Sequence, residues 1–312
     1  MGLTLAQAQL YTTNKVQAGV LEEFVRMSPV LQRLPFSDIN GNALQYLRES
    51  TRSSSAFMDP LDTWTENTGT VTQVTVALKI LGGDADIDHF LKNVHSNYTD
   101  IEAELIAEKA KSMKFAFLDA FYYGDDSVNA KEFDGLHQLI NTVGNAQQIN
   151  QGSGSTGAPL SMANLDVVMD LIQDGPPDCF LTTKAIRRRL NRYIRDNGLW
   201  ETERDEWGNM VQMYQGVPIY VDDSLVMTET ITSGDYSAKT GGATGSIFAV
   251  RFGPKDVFGI QNSGGVEIKK ISDQLESKDA SRWRLKWYVG MGLGRTISVA
   301  RIDGITDAAA VS

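Results

Sequence analysis

Three aspartates at alternate positions, Asp84, Asp86 and Asp88, are the first residues along the chain whose type and spacing could do chemistry. Alternating carboxylates open a calcium-binding loop, but that loop also needs glycine at its sixth position and glutamate at its twelfth. Here those positions hold His89 and His95, so the acids fit better at the start of a short helix, DHFLKN. The three histidines, His89, His95 and His137, have no partner at a metal-ligand spacing. The single cysteine, Cys179, sits in an apolar run, CFLTT, where a thiol is inert. Gly290, Gly292 and Gly294 lie inside a β-like run and read as a strand bend or a close backbone approach. GSGSTG at 152–157 lacks the lysine that a phosphate-binding loop requires, and no GxSxG nucleophile elbow is present. What remains is charge: Arg187, Arg188, Arg189, Arg192 and Arg195 share one helical stretch. Phosphates reward such a cluster. Yet Asp196, Glu201, Glu203, Asp205 and Glu206 follow at once, and local or intersubunit ion pairs account for both sets better. These residues specify no catalytic site, no metal and no cofactor.

The totals agree with a protein of another kind. A chain of 312 residues can bury a substantial core and hold two subdomains. Its 42% hydrophobic and 22% charged residues are ordinary for a globular protein. No apolar run approaches the roughly 18 residues of a membrane span, and MGLTLAQAQLYTTNK shows no secretory signal. One cysteine cannot make an intrachain disulfide, which fits assembly in a reducing cytoplasm. With 29 basic against 39 acidic residues the net charge is −10, so the chain repels nucleic acid more than it grips it.

The elements that must position these residues are organised around 99–124. Thr99 and Glu102 have capping-box spacing, and Asp100, Glu102 and Glu104 suit the positive end of a helix dipole. Ile106, Ala110, Met113, Phe117 and Phe121 form one apolar stripe, widened by Ile101 and Leu105, with Lys109, Lys111 and Lys114 on a solvated face. Gly124 closes the helix as a left-handed residue would. Before it, residues 1–42 read as an arm laid along something else: Val20, Phe24 and Met27 make a short amphipathic turn cut at Pro29 and Pro35. Residues 43–80 read as a long two-stranded excursion, ALQYLRES against VTQVTVALKIL, with a loose tip rich in Ser and Thr. An isolated hairpin is marginal in water, so this one should dock on another surface, a neighbouring subunit being the obvious candidate.

Past the helix, GNAQQINQGSGSTGAPL (144–160) reads as a flexible link and internal boundary. Beyond it come a helix capped by Ser161, a short buried strand at CFLTT, the arginine helix ending at Gly198, and the strands GVPIYVDDSLV and GSIFAVRFG. Together they make a small α/β unit. The remainder is β: Trp283, Leu285, Trp287 and Val289 fall on one face, Arg284, Lys286 and Tyr288 on the other. That apolar face needs a helix to cover it, and 99–124 has a stripe free.

This order of pieces resembles the major capsid protein of tailed bacteriophages, the Hong Kong 97 type, an α+β fold. KILGGDADIDHFLKNVHSNYTDIEAELIAEKAKSMKFAFLDAFYYGDD is similar to the family's run from the extended loop into its spine helix. EFDGLHQLI resembles the segment after that helix, GVPIYVDD the family's GxPV strand, and GSIFAVRFG with VEIKKI the return of the chain. The resemblance implies an N-terminal arm (1–42), an extended loop (43–80) and a peripheral domain with the spine helix (81–143). An axial domain (144–252) and returning peripheral strands (253–312) follow. It also implies self-assembly as pentamers and hexamers into an icosahedral virion shell around double-stranded DNA, built in the host cytoplasm without sequence-specific binding or a membrane. Portal and decoration proteins are implied partners. There is no room for an N-terminal assembly domain, so scaffolding is a separate protein or that domain was cut away.

Within this reading Phe57, Met58 and Trp64 at the loop tip, with Phe24 and Met27 in the arm, are the expected intersubunit contacts. Arg187, Arg188, Arg192 and Arg195 are candidates for intersubunit ion pairs. Some family members join subunits covalently through a lysine in the extended loop. No lysine occurs between Lys15 and Lys79, so no such link is expected. An encapsulin-type nanocompartment shell is the nearest rival, and a soluble α+β enzyme the rival of a different class.

Overall fold

The computed structural model describes residues 3–4, 28–51, 53–64, 66–90, 94, 101–152, 156–198, 201–204, 208, 210–232 and 235–311. Phe24 and Met27, like Val20 and the Thr99 cap, lie outside the described residues. The chain begins with β1 (Leu3–Thr4), α1 (Pro29–Arg33) and β2 (Pro35–Ile39). The hairpin strands β3 (Ala43–Thr51) and β4 (Thr70–Ala77) follow. Then come β5 (Lys79–Asp88), the long helix α2 (Ile101–Tyr123) and α3 (Leu136–Val143).

From Ser28 onward the expected arm is part of the body. Pro29 does not cut the helix; it occupies the first turn, where its missing N–H costs nothing. Val30, Leu31 and Leu34 are wholly buried, and β2 pairs in parallel with the chain's long β14 (Val257–Ser272) through Gly259↔Phe36. The body has a five-stranded sheet in the order β1-β2-β14-β15-β5, where β15 is Ala280–Leu293. Along β15 the alternation holds: Leu285, Trp287 and Val289 are buried on the face that α2 covers. Phe117 of α2 meets Trp287 at 4.9 Å between ring centroids, and Phe36 closes the cluster at 5.4 Å from Trp287.

The expected stripe Ile106, Ala110, Met113, Phe117 and Phe121 is buried throughout, and Leu118 and Tyr122 extend it. Lys114 is not on a solvated face: it is 3% exposed, with its Nζ 4.4 Å from the centre of the Phe115 ring. Gly124 has no left-handed backbone. Its N–H donates to Ala120 O at 2.9 Å and its carbonyl accepts from Gly135 N–H at 2.8 Å. The approach is so close that a Cβ would collide with the carbonyl oxygen of Phe133, so glycine is required by crowding.

The second unit contains β6 (Gln148–Asn150), α4 (Met162–Leu171), β7 (Cys179–Thr182), α5 (Lys184–Asp196), β8 (Glu201–Arg204) and β9 (Met210–Tyr214). After them come β10 (Val217–Val221), a ribbon of β11 (Thr230–Thr232) and β12 (Asp235–Ala238), and β13 (Gly245–Val250). Its seven-stranded sheet runs β6-β16-β13-β7-β10-β9-β8, with β16 at Val299–Ile305. Two sequence expectations change here. Gln148–Asn150, within the supposed link, pairs in parallel with β16. And β16 itself joins this second sheet, not the returning strands of the first, because the turn at 294–298 redirects the chain.

Every residue of β13 and β16 is buried. The side chains divide by alternation: Ile247, Ala249, Ala300 and Ile302 pack with α4 and α5, while Phe248, Val250 and Val299 join the core under α2. One pair of strands therefore serves two cores.

Candidate functional site

The hairpin is the one part of the described body that forms a separate two-stranded sheet projecting its own apolar residues outward. Its antiparallel register runs from Ala43↔Ala77 to Thr51↔Thr70. At its root, Tyr46 donates from its hydroxyl to Leu293 O at 2.7 Å and packs edge-on against Phe258, with ring centroids 5.7 Å apart. Further out, Leu47 and Val71 are mostly exposed. At the tip Phe57 and Leu61 are fully exposed and Trp64 is 82% exposed, while Met58 is half-buried. Large apolar side chains held in water contribute no stability to the subunit; buried by a partner, each is worth roughly 1.5–3 kcal/mol.

The tip is locally shaped. Asp62 N–H donates to Asp59 O at 3.1 Å and Asp59 N–H to Asp62 Oδ2 at 2.8 Å, closing a turn over Pro60 and Leu61. Leu61 has φ of +83°, the value glycine adopts in a type II turn with proline before it. A leucine there is strained, and its side chain is thrust fully into solvent.

The arginine helix α5 is anchored by Thr183, whose Oγ1 accepts from Ile186 N–H at 3.3 Å, and by the buried Ile186, Leu190 and Ile194. Arg188 and Arg189 both bind Asp307, Arg188 through two bonds of 2.8 and 3.0 Å. Arg192 lies 3.7 Å from Asp196. Two of the five arginines thus hold the C-terminal segment of their own chain. Arg187, Arg192 and Arg195 remain on the exposed face.

Asp84 and Asp86 lie on β5, not at a helix start. Each takes a bidentate pair from an arginine across the ladder, Asp84 from Arg284 and Asp86 from Arg282, with bonds of 2.6–2.8 Å. The arginine hydrogen bonds and charges hold both carboxyls below the usual range. Asp88 alone turns toward the following turn of helix, accepting from Phe90 N–H at 2.7 Å. Among the described residues no group of three or more His, Cys, Asp or Glu is placed to hold a metal, and no helix is long and apolar enough to cross a membrane. Cys179 is buried, and burial pushes its thiol up to about 12.

One polar constellation escaped the sequence reading. His137 of α3, Glu229, Arg301 and Asp303 are all essentially inaccessible and meet where the two cores adjoin. Arg301 Nη1 donates to His137 Nδ1 at 2.7 Å, and Nη2 to Asp303 Oδ2 at 3.1 Å and Asn141 Oδ1 at 3.2 Å. His137 Nε2 therefore carries the proton and donates it to Glu229 Oε1 at 3.3 Å. Tyr123 and Ser246 donate their hydroxyls to the same carboxylate, and Tyr236 stacks on the imidazole at 3.8 Å. Burial, against a lesser pull from Glu229, lowers His137 to about 4; burial likewise raises Asp303 to about 6. For Glu229 burial acts upward, yet the His137, Ser246 and Tyr123 bonds hold it below its ordinary value. Both imidazole nitrogens are engaged, so the ring is fixed as a neutral strut with no nitrogen free for proton transfer. Its one legible signal was Arg301 and Asp303 within the apolar run SVARIDGI.

No protein-family model and no curated protein matches the sequence. Solved structures do match in three dimensions. A chain of the holo-SrpI encapsulin complex from Synechococcus elongatus superposes over 92% of this chain and 91% of its own, at 14% identity and a TM-score of 0.69. A capsid chain of a native GTA particle covers 89% and 90% at 13% identity and a TM-score of 0.59. A chain of Mycobacterium phage Cain covers 98% of each at 14% identity and 0.59. At such identities the fold is what is shared.

Proposed function

We propose that this chain, which has the Hong Kong 97-type capsid fold, is the subunit of a closed protein shell: a major capsid protein of a tailed bacteriophage. Pentamers and hexamers of it would tile an icosahedral lattice around double-stranded DNA. The observation that carries the reading is the hairpin. A body with two complete cores projects a ribbon whose tip exposes Phe57, Leu61 and Trp64, and such anchors find their value on another molecule. The acidic balance of the chain supports it, since a chain of net charge −10 does not grip its contents by their phosphates.

Phe57, Met58 and Trp64 are the contact residues in this account, together with Phe24 and Met27 of the leading segment. Arg187, Arg192 and Arg195 are available for ion pairs with a neighbour, while Arg188 serves within the chain. Many modest contacts repeated around a closed lattice yield large total stability. A separate scaffolding protein, a portal and a decoration protein are the partners that go with it, and the virion, assembled in the host cytoplasm, is the location.

A second reading is an encapsulin-type compartment, since an encapsulin chain has the same fold at a TM-score of 0.69. The experiment is to express the chain and examine it by size-exclusion chromatography and electron microscopy. Megadalton shells support the proposal, and a stable species of 34.3 kDa or its dimer refutes it. Shells formed in infected cells and filled with DNA select the capsid; shells filled with a copurifying enzyme select the compartment.

A further inference from the structure

The root of the hairpin and the body enclose a cavity of about 720 Å³, within the roughly 300–1,000 Å³ of small-molecule sites. Alternation along β3 puts Leu44, Tyr46 and Arg48 on one face, and all three line the cavity from the hairpin side. Lys255 and Phe258, with the turn at 294–297, line it from the body. Tyr46 and Phe258 lie edge-on to each other and make one side aromatic.

The charge of the lining is one-sided. Arg48, Lys255 and Arg295 face a single carboxylate, Asp174, on a chain whose net charge is −10. Asp174 is already taken, at 2.9 Å from Arg295. Arg48 reaches only neutral acceptors, the Tyr46 hydroxyl at 3.4 Å and the Leu293 carbonyl. Its Nε is shut off from solvent and has no hydrogen-bond partner among the described residues. Lys255, exposed at the mouth, is in no ion pair among the described residues. A guanidinium drawn out of water without a counter-charge costs free energy, and an anion entering the cavity would recover that cost. Aromatic surface beside unpaired cations selects a ligand with both characters.

We infer that this cavity binds a small organic anion with a flat apolar body and a phosphate or carboxylate head. The body lies against Tyr46, Phe258 and Ile297, and the head is met by Arg48, with Lys255 and Arg295 at the rim. Guanidinium groups suit such heads because they donate two parallel bonds to one anion. One wall belongs to the hairpin and the other to the body, so an occupant fixes the hairpin's angle and acts as an effector of how it is presented. The site belongs to the single chain and does not depend on the shell reading.

Naphthyl phosphate, titrated into the purified full chain by calorimetry up to millimolar concentration, tests the site. The expected result is saturable binding of one molecule per chain. Inorganic phosphate, and naphthylmethylamine with the opposite charge, should each bind at least about tenfold more weakly. Arg48→Met keeps the length of the side chain and removes the charge; it should weaken binding about ten- to a hundredfold, the value of one charged hydrogen bond. Lys255→Met, at an exposed position that does not threaten the fold, should weaken it severalfold. Bound probe should slow amide hydrogen exchange in both walls, at 43–48 and at 294–297. No saturable binding, equal binding of the amine, or affinity unchanged in both variants overturns the inference, as does protection confined to other segments.

Discussion

Replacing His137 by asparagine should change how stability depends on pH, and the direction follows from the buried cluster. In the unfolded chain histidine titrates near 6.5; in the fold burial holds His137 near 4. As pH falls from 6.5 to 4 the unfolded state takes up a proton that the folded state refuses. Stability is then lost, by about 3 kcal/mol at 1.36 kcal/mol per pKa unit. Asp303 acts in the opposite sense. Its folded value near 6 lies above the ordinary 3.8, so between pH 6 and 4 the folded state takes up the proton first. Stability is gained, again by about 3 kcal/mol. In the parent chain the two contributions oppose each other between pH 4 and 6. Asparagine keeps an acceptor for Arg301 and a donor for Glu229 but does not titrate, which leaves the Asp303 contribution alone. Relative to the parent, the variant should gain about 3 kcal/mol on going from pH 6.5 to 4, or about 5 °C in melting temperature for a chain of this size. Denaturant unfolding of the unassembled subunit at constant ionic strength measures it. Parallel profiles for the two proteins would refute the neutral, doubly bonded His137.

Three further outcomes follow from the geometry. Trp64→Ala should abolish or sharply reduce particle formation while the subunit keeps its circular dichroism and melting temperature; an undiminished particle yield counts against the tip as an anchor. Phe117→Ala, beneath Trp287 and Phe36, should destabilise the subunit by about 3–5 kcal/mol in denaturant unfolding, and a loss under 1 kcal/mol would show that α2 does not cover this sheet. Assembled particles boiled in detergent should run as a single 34.3 kDa band, because no lysine lies between Lys15 and Lys79 to join subunits; a ladder of covalent oligomers contradicts this.

The long helix, the hairpin and the apolar face of β15 were legible because each keeps one period for three turns or more. Periods of 3.6 and 2 survive any tertiary context that buries a single face. Lys114 was misread because periodicity predicts which way a side chain points and not what else packs there. The stretch around Gln148–Asn150 looked like a linker for its polar, glycine-rich composition, yet a three-residue edge strand needs only backbone bonds to β16. β16 was assigned to the wrong sheet because an apolar strand carries no mark of its neighbours; only the turn at 294–298 decides that. Asp84 and Asp86 were placed at a helix start because their partners, Arg284 and Arg282, are some 200 residues away. Distance in sequence also hid the His137 cluster, whose members His137, Glu229 and the Arg301–Asp303 pair come from three separate segments.

The sharing of β13 and β16 by two cores has a mechanical meaning. Swinging one half of the subunit against the other would strip packing from alternate side chains of the same strand, so the subunit behaves as a stiff plate. In the proposed shell the hairpin, tied down near its root by Tyr46, would be the compliant grip. Differences in curvature across such a shell would then be absorbed at the seams, by the bend of each grip, and not by deformation of the plates.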